Sequence, residues 1–359
     1  MKNNDIKEVR PDRFKELDAL RGIAVLGVLL YHYTVAYDYH YNLDSTGKFH
    51  FIYGFLAVEL FFMISGFVIL LTLEKSKKKA DFLVSRFSRL YPAYWASIFL
   101  TTLLITLFPI PTLGHYTAKE IVINLTMLQG FGKIRLIDQV YWTLKLELIF
   151  YGIMYIIYAA KQLKNIVYIC FPWLTISVLS CLFKIPLKKY LDVLLILQYA
   201  PLFIAGINFY KLKSNSGGPM SHLLIVLSLL VEFLWVYHTD VDNSYLSVMI
   251  FLTAFYLIFY TFAYKGLPIL KNKLLLFFGT ISYSLYLLHN VIGYVIIYRL
   301  RTISDKQLFY IPITFVVVVS LAVLVTFGVE KPALKLIRTY YKKNKVPTGM
   351  KATDVAQLP

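Results

Sequence analysis

The sequence predicts an all-α fold: a polytopic bundle of about ten transmembrane helices, with one further re-entrant or interfacial helix. Three observations predict it. Of the 359 residues, 58% are hydrophobic and only 16% charged, whereas soluble domains carry about a quarter charged. The apolar residues are gathered into blocks near the roughly 20 residues that one helix needs to cross a bilayer. Lys and Arg collect at the ends of those blocks, where topology and anionic lipid explain them.

The first block, 17–38, follows a basic N-terminus. It is long enough to span and lacks a clear small-residue cleavage site, so an uncleaved signal anchor is expected rather than a signal peptide. Further blocks follow at 51–73, 90–109, 141–160, 165–183, 191–210, 221–238, 245–264, 275–298 and 309–330. Between the third and fourth, "EIVINLTMLQGFG" is too short and polar to span, which makes it the re-entrant or interfacial element. The two cysteines, Cys170 and Cys181, fall in one apolar block and read as packing residues. Segment 1–16 is expected to be a cytoplasmic basic lead-in and 17–335 the transmembrane domain. The tail 336–359 starts as a basic juxtamembrane helix and turns polar and disordered.

Ten spans place both termini on one side of the membrane. That side carries most of the 37 Lys and Arg, including the loop "EKSKKKADFLVSRFSR". The asymmetry predicts cytoplasmic termini in a multi-pass membrane protein. One loop dissents: "KIPLKKY" (184–190) is basic yet expected outside. The formal charge of +17 invites a nucleic-acid partner, but positive-inside flanks account for it, and membrane lipid is the expected partner instead.

Ionisable side chains inside the bilayer are costly and default to functional candidates. His32, Glu59, Glu147 and His289 are the four, with Lys145 less deep. Arg21 stands eleven residues before His32. That is close to a whole number of turns, so the two share a helical face about 16 Å apart along the axis. On the expected topology Arg21 lies at the cytoplasmic edge and His32 in the outer half. Glu59, in "GFLAVELFFMISGF", is at a similar depth and reads either as a carboxyl tying two helices or as the partner that orients His32. The small residues of "ISGF" offer a surface for close helix contact. Glu147 lies beside Trp142 in "VYWTLKLELIFY". An aromatic next to a carboxylate suits a sugar pocket, although Trp142 equally suits an interfacial anchor. His289 lies on a polar stripe, "ISYSLYLLHN", where Ser282 and Tyr286 share its face. That stripe serves either helix–helix hydrogen bonding or substrate lining. Arg86 and Arg89 are three apart on one face at the cytoplasmic mouth, a spacing that suits phosphate oxygens.

Several chemistries find no support. There is no G-x-S-x-G elbow. The soluble His-x4-Asp acyltransferase box would need Asp where Tyr37 stands, with Asp38 one place late. No Cys/His cluster predicts a metal, and no bound cofactor is expected.

Together, "ELDALRGIAVLGVLLYHY", "FLAVELFFMISGFVI", "RFSRLYPAYW", "YWTLKLELIFY" and "ISYSLYLLHN", closed by "EKPALK" (330–335), resemble the acyltransferase family 3 membrane proteins over roughly 14–335. That family O-acylates bacterial surface polysaccharides. The resemblance implies ten spans, a cytoplasmic acyl-CoA donor (acetyl-CoA by default) as co-substrate and a glycan acceptor reached from the other side. Some members carry an appended hydrolase-like domain, which is not expected here. Arg86, Arg89 and Arg21 would then serve CoA. Trp142, Glu147, Ser282, Tyr286 and His289 would line the acceptor pocket. His32 would act with Glu59 as general base, or carry the acyl group itself. A proton-coupled transporter or an acyl exporter is the competing class, since intramembrane Glu and His also build proton relays. Against a transporter, the sequence shows no inverted repeat.

Overall fold

The structure is a computed structural model and describes residues 14–43, 46–111, 114–132, 134–183, 188–239 and 245–344. Most of the N-terminal lead-in, the first four residues of the dissenting basic loop and the tail from 345 lie outside the described residues. The described chain is a bundle of helices: α1 (Lys15–Tyr31), α2 (Ala57–Glu74), α3 (Lys79–Leu107), α4 (Ala118–Leu125), α5 (Trp142–Ala159), α6 (Ile166–Leu182), α7 (Lys188–Leu194), α8 (Ala200–Lys213), α9 (Pro219–Thr239), α10 (Tyr245–Tyr264), α11 (Lys273–Arg301), α12 (Gln307–Val325) and α13 (Lys331–Lys343). Nine helical stretches among the described residues are long and apolar enough to cross a membrane. The chain is an all-α, multi-pass membrane protein. Large apolar side chains such as Val226, Leu230, Ile250, Leu257, Val316 and Leu324 stand exposed on its outer faces, as they do where lipid rather than water is the solvent.

The expected span at 191–210 departs from the pattern. It is split into α7 and α8 by turns around Ile196, whose φ is 47°. At 14 residues, α8 is about 21 Å long, short of a bilayer core. Side chains from α6 supply what the broken backbone lacks: Trp173 Nε1–H donates to Leu195 O (2.8 Å) and Ser177 Oγ–H to Leu197 O (2.6 Å). Irregular backbone at membrane depth survives where it is buried in protein or lines a cavity, and this break does both.

Two helices exceed their apolar blocks. α3 begins at Lys79, eleven residues before the apolar block at 90, and runs through Pro92. Its first turns are too charged to score as membrane, yet they pack on α13. Arg338 Nε–H donates to Ser88 Oγ (3.2 Å) and Tyr341 OH to Asp81 (2.9 Å). α12 continues through a π-helical turn, Thr326–Glu330, into α13. Among its described residues the stretch at 111–140 holds one α-helix, the eight-residue α4, followed by 3-10 turns at Gln129–Phe131 and Gln139–Tyr141. A capping box between Thr117 and Glu120 starts it, and Asn124 ties its end to Arg135 O (3.0 Å).

α11 is the most enclosed of the nine, and α1 crosses it backbone to backbone. A methyl on Gly279 would lie 1.9 Å from Asp18 O. The surface at "ISGF" makes a second close crossing, between α2 and α8, where a methyl on Gly206 would lie 2.0 Å from Met63 O. The first contact sets α1 against α11, and a third, where a methyl on Gly54 would lie 2.2 Å from Gly27 O, sets the chain entering α2 against α1, so that His32, Glu59 and His289 gather around one centre.

Candidate functional site

His32 is where α1 stops being regular. A π-helical turn, His32–Ala36, opens at this residue, and such single wide turns recur at functional sites. His32 Nδ1 lies 2.9 Å from Val28 O and 3.3 Å from Nε2 of His289, and the two rings meet edge to face at 4.8 Å. His289 is fully buried, with its Nδ1 2.7 Å from Tyr286 O. Carbonyl oxygens only accept, so each Nδ1 carries a proton. His289 Nε2 is then a lone pair that shares the His32 Nδ1–H with Val28 O. That leaves the lone pair on Nε2 of His32. Tyr33 OH donates to His289 O (2.9 Å), pinning the same turn of α11.

Three cavities line up along α1. The one at the Phe14 end of α1, beside α13, is bordered by Asp18, Arg21, Arg86, Arg89, Lys331 and Arg338. Next comes an inner chamber, which Arg21, Arg86 and Arg89 also line and which Glu147, Tyr151 and Tyr286 face. The third, outer cavity holds His32, Glu59, Trp142, Gln198, Tyr199 and Glu232. Val58 lines both chamber and outer cavity. The Tyr286 ring closes the gap, 5.8 Å from Phe61 and 5.5 Å from His289.

The two paired arginines differ in what they hold. Arg89 makes an ion pair with Glu330, which is 1% exposed and also accepts from Ser284 Oγ (2.9 Å). Arg86 donates to Thr72 Oγ1 (3.3 Å) and Ser85 Oγ (3.1 Å), sits over the rings of Phe82 and Tyr151, and leaves its buried Nε without a hydrogen-bond partner among the described residues. Arg21 has Asp18 3.6 Å away. In the chamber, then, Arg21 and Arg89 each have a carboxylate within ion-pair distance, and among the described residues Arg86 has none.

Geometry redistributes the residues singled out from the sequence. Among the described residues no hydrogen bond joins Glu59 to His32; the ring against His32 is His289. Glu59 lines the outer cavity, its Oε2 without a hydrogen-bond partner among the described residues. The five residues grouped as one acceptor pocket divide. Trp142 is in the outer cavity, and Glu147, Ser282 and Tyr286 are in the chamber. His289 is packed between them. Glu147 accepts from Ser65 Oγ (3.2 Å) and from Tyr151 OH, and Tyr286 OH lies 2.8 Å from Thr143 Oγ1.

Other residues at the site were not singled out, four charged ones among them. Glu232 sits inside the apolar block 221–238, where the rule that flagged Glu59 applies equally. Asp138, 1% exposed, accepts from Asn290 Nδ2 (2.7 Å) and Val291 N–H (3.0 Å), one turn from His289. Lys331 and Arg338 follow the last apolar block and resemble ordinary flanking charge. Among the described residues no group of three or more His, Cys, Asp and Glu could hold a metal.

Residues 14–329 match a family described as an acyltransferase domain. A candidate acetyltransferase, ORF330 of Acidianus two-tailed virus, is 24% identical over 277 residues, covering 75% of this chain and 80% of the viral protein. The exopolysaccharide production protein ExoZ of Rhizobium meliloti (strain 1021) is 30% identical over 115 residues, 31% of this chain and 36% of ExoZ. Protein 2 in the picA locus of Rhizobium radiobacter is 35% identical over 89 residues, 23% and 41% of the two chains. No solved structure matches.

Proposed function

The chain belongs to the acyltransferase family whose domain it matches over residues 14–329, and on that premise we propose that it moves an acyl group, acetyl by the family resemblance, from acyl-CoA to a glycan hydroxyl. The protein is a membrane acyltransferase. Its donor, its acceptor and its chemistry are our reading. The observation that carries it is His32: its Nδ1 is held by Val28 O and His289, its Nε2 has no hydrogen-bond partner among the described residues, and it lines the outer cavity, with His289 and then Tyr286 between it and the chamber.

An unactivated sugar hydroxyl is a weak nucleophile, so the base must take its proton as the O–C bond forms. In this scheme His32 Nε2 accepts the hydroxyl proton and the alkoxide oxygen adds to the thioester carbonyl. The C–S bond breaks, and the CoA thiolate leaves and takes the proton back from the imidazolium. His289 holds the His32 ring so that Nε2 faces the acceptor. In the rival scheme Nε2 itself attacks the thioester carbonyl and the C–S bond breaks, releasing the CoA thiolate; the hydroxyl oxygen then takes the acyl group as the N–C bond breaks, and its proton goes to the thiolate. The same lone pair serves both.

The basic cavity and chamber suit the CoA phosphates, with Arg86 offering an unfilled donor. Both termini are cytoplasmic on this reading, since the Lys and Arg excess lies on the side to which the start of α1 and α13 belong, and the cavity between those two is the cationic one. The ExoZ likeness supports a polysaccharide acceptor. The test is purified protein with labelled acetyl-CoA and a glycan acceptor. Transfer should vanish in His32→Ala, and transfer that survives this change would sink the assignment. Trapping of label on the wild-type chain without acceptor would select the acyl-histidine scheme.

A further inference from the structure

We propose that the outer cavity is a subsite for a neutral sugar ring, and that Glu232 with Glu59 selects it against anionic sugars. This rests on the acyl-transfer reading for its biological sense, though not for its geometry. Glu232 comes from α9 and Glu59 from α2, and both line the cavity that holds His32. Glu232 is only 5% exposed. Oε2 of each carboxyl has no hydrogen-bond partner among the described residues. A buried carboxyl without a partner costs free energy that a ligand hydroxyl recovers, so these two groups mark where donors from a ligand would sit. Among the described residues no Lys or Arg lines this cavity. A uronate or phosphate there would add a further negative group with no cation to offset it.

The other walls suit a sugar. Trp142 and Trp235 give flat apolar faces, and Tyr199, 5.7 Å from Trp142 between ring centroids, extends one of them. Gln198 adds an amide that both donates and accepts. Gln198 and Tyr199 come from the break between α7 and α8, so the irregular backbone has a use here: it brings polar groups to a membrane-depth cavity that a regular apolar helix would not supply. Charge is thus sorted along α1, cationic in the chamber for a phosphorylated donor and acidic in the outer cavity for an uncharged acceptor.

The test is saturation-transfer NMR of the detergent-solubilised protein with methyl glucoside, galactoside and mannoside, against methyl glucuronoside and glucosamine. At least one neutral glycoside should receive saturation and the uronate none. Glu232→Gln should weaken the neutral ligand about tenfold, the loss of one hydrogen bond to a charged group. The double change Glu59→Gln/Glu232→Gln should admit the uronate. CoA binding serves as the folding control; if Glu232→Gln fails it, Glu232→Asp is read instead and should alter the ranking of the neutral sugars. Uronate binding as strong as neutral binding overturns the proposal. So does the absence of binding by every neutral glycoside, or an unchanged affinity in the folded variant. Binding confined to glucosamine overturns it in favour of an ammonium site. Sugar binding without acyl transfer would sink the acyltransferase mechanism and leave the subsite standing. Transfer that ignores Glu232 would do the reverse.

Discussion

His289 Nε2 lies 3.3 Å from His32 Nδ1 while its own Nδ1 is tied to Tyr286 O at 2.7 Å. The second ring is thereby fixed as an acceptor, and the first is held with its Nε2 lone pair free. If His289 acts only by positioning, its loss should lower kcat about 10- to 100-fold with little change in KM for acyl-CoA, because the base remains but its orientation is lost. His289→Gln, whose amide oxygen can accept from His32 Nδ1, should recover part of the rate where His289→Ala does not. Steady-state kinetics of the two variants check this, and equal loss in both would argue for a direct role in proton transfer.

Arg86 and Arg89 should fail differently. Arg89→Ala strands Glu330, which is 1% exposed. Since the Arg89 side chain is 31% exposed, the cost is screened to about 1–3 kcal/mol, below that of a fully buried pair. Adding Glu330→Gln should restore much of the thermal stability. Arg86→Ala should leave stability nearly unchanged and weaken CoA binding about tenfold or more, read by calorimetry. A stability loss in Arg86→Ala rescued by no partner change would show that its contacts with Thr72 and Ser85 are structural instead.

Arg338 borders the basic cavity from α13. Its removal should weaken CoA several-fold and flatten the dependence of binding on salt, since one cation fewer meets the phosphates. An unchanged salt dependence would assign Arg338 only to its hydrogen bonds with Ser85 and Ser88.

Gly206→Val should prevent assembly or lower the melting temperature sharply, because a Cβ there would meet Met63 O at 2.0 Å. Gly218→Val is the control, having nothing within 4 Å of its Cβ position. Comparable yields of folded protein for the two variants would overturn the close α2–α8 crossing.

Much of this was legible in the sequence, and for a physical reason: the bilayer taxes every polar residue, so block lengths give the spans and each charge inside a block stands out. His32, Glu59, Glu147 and His289 were visible that way. Their pairing was not. His32 and His289 are 257 residues apart in the chain, and nothing in either segment specifies the other, so Glu59 was as good a partner on paper. The break before Ala200 was hidden because its carbonyls are satisfied by Trp173 and Ser177, residues of a different helix, while the segment itself stays apolar. Glu330 read as the end of a span. Only the packing of α12 against α3 shows it holding Arg89.

The two π-helical turns, His32–Ala36 and Thr326–Glu330, have a consequence for how this chain can change over time. Each holds one more residue than an α-turn would, and one contains His32 while the other ends at Glu330. Substitutions around them alter a contact. A single-residue deletion within either would let the turn relax to α and swing everything beyond it by about 100° around the helix axis. For the first turn that carries away Asp38, which the side chains of Lys48 and Arg301 approach; for the second it carries away Lys331 and Arg338. The chain should therefore accept length variation in its loops far more readily than at these ten positions, where one missing codon rewires an end of the pathway.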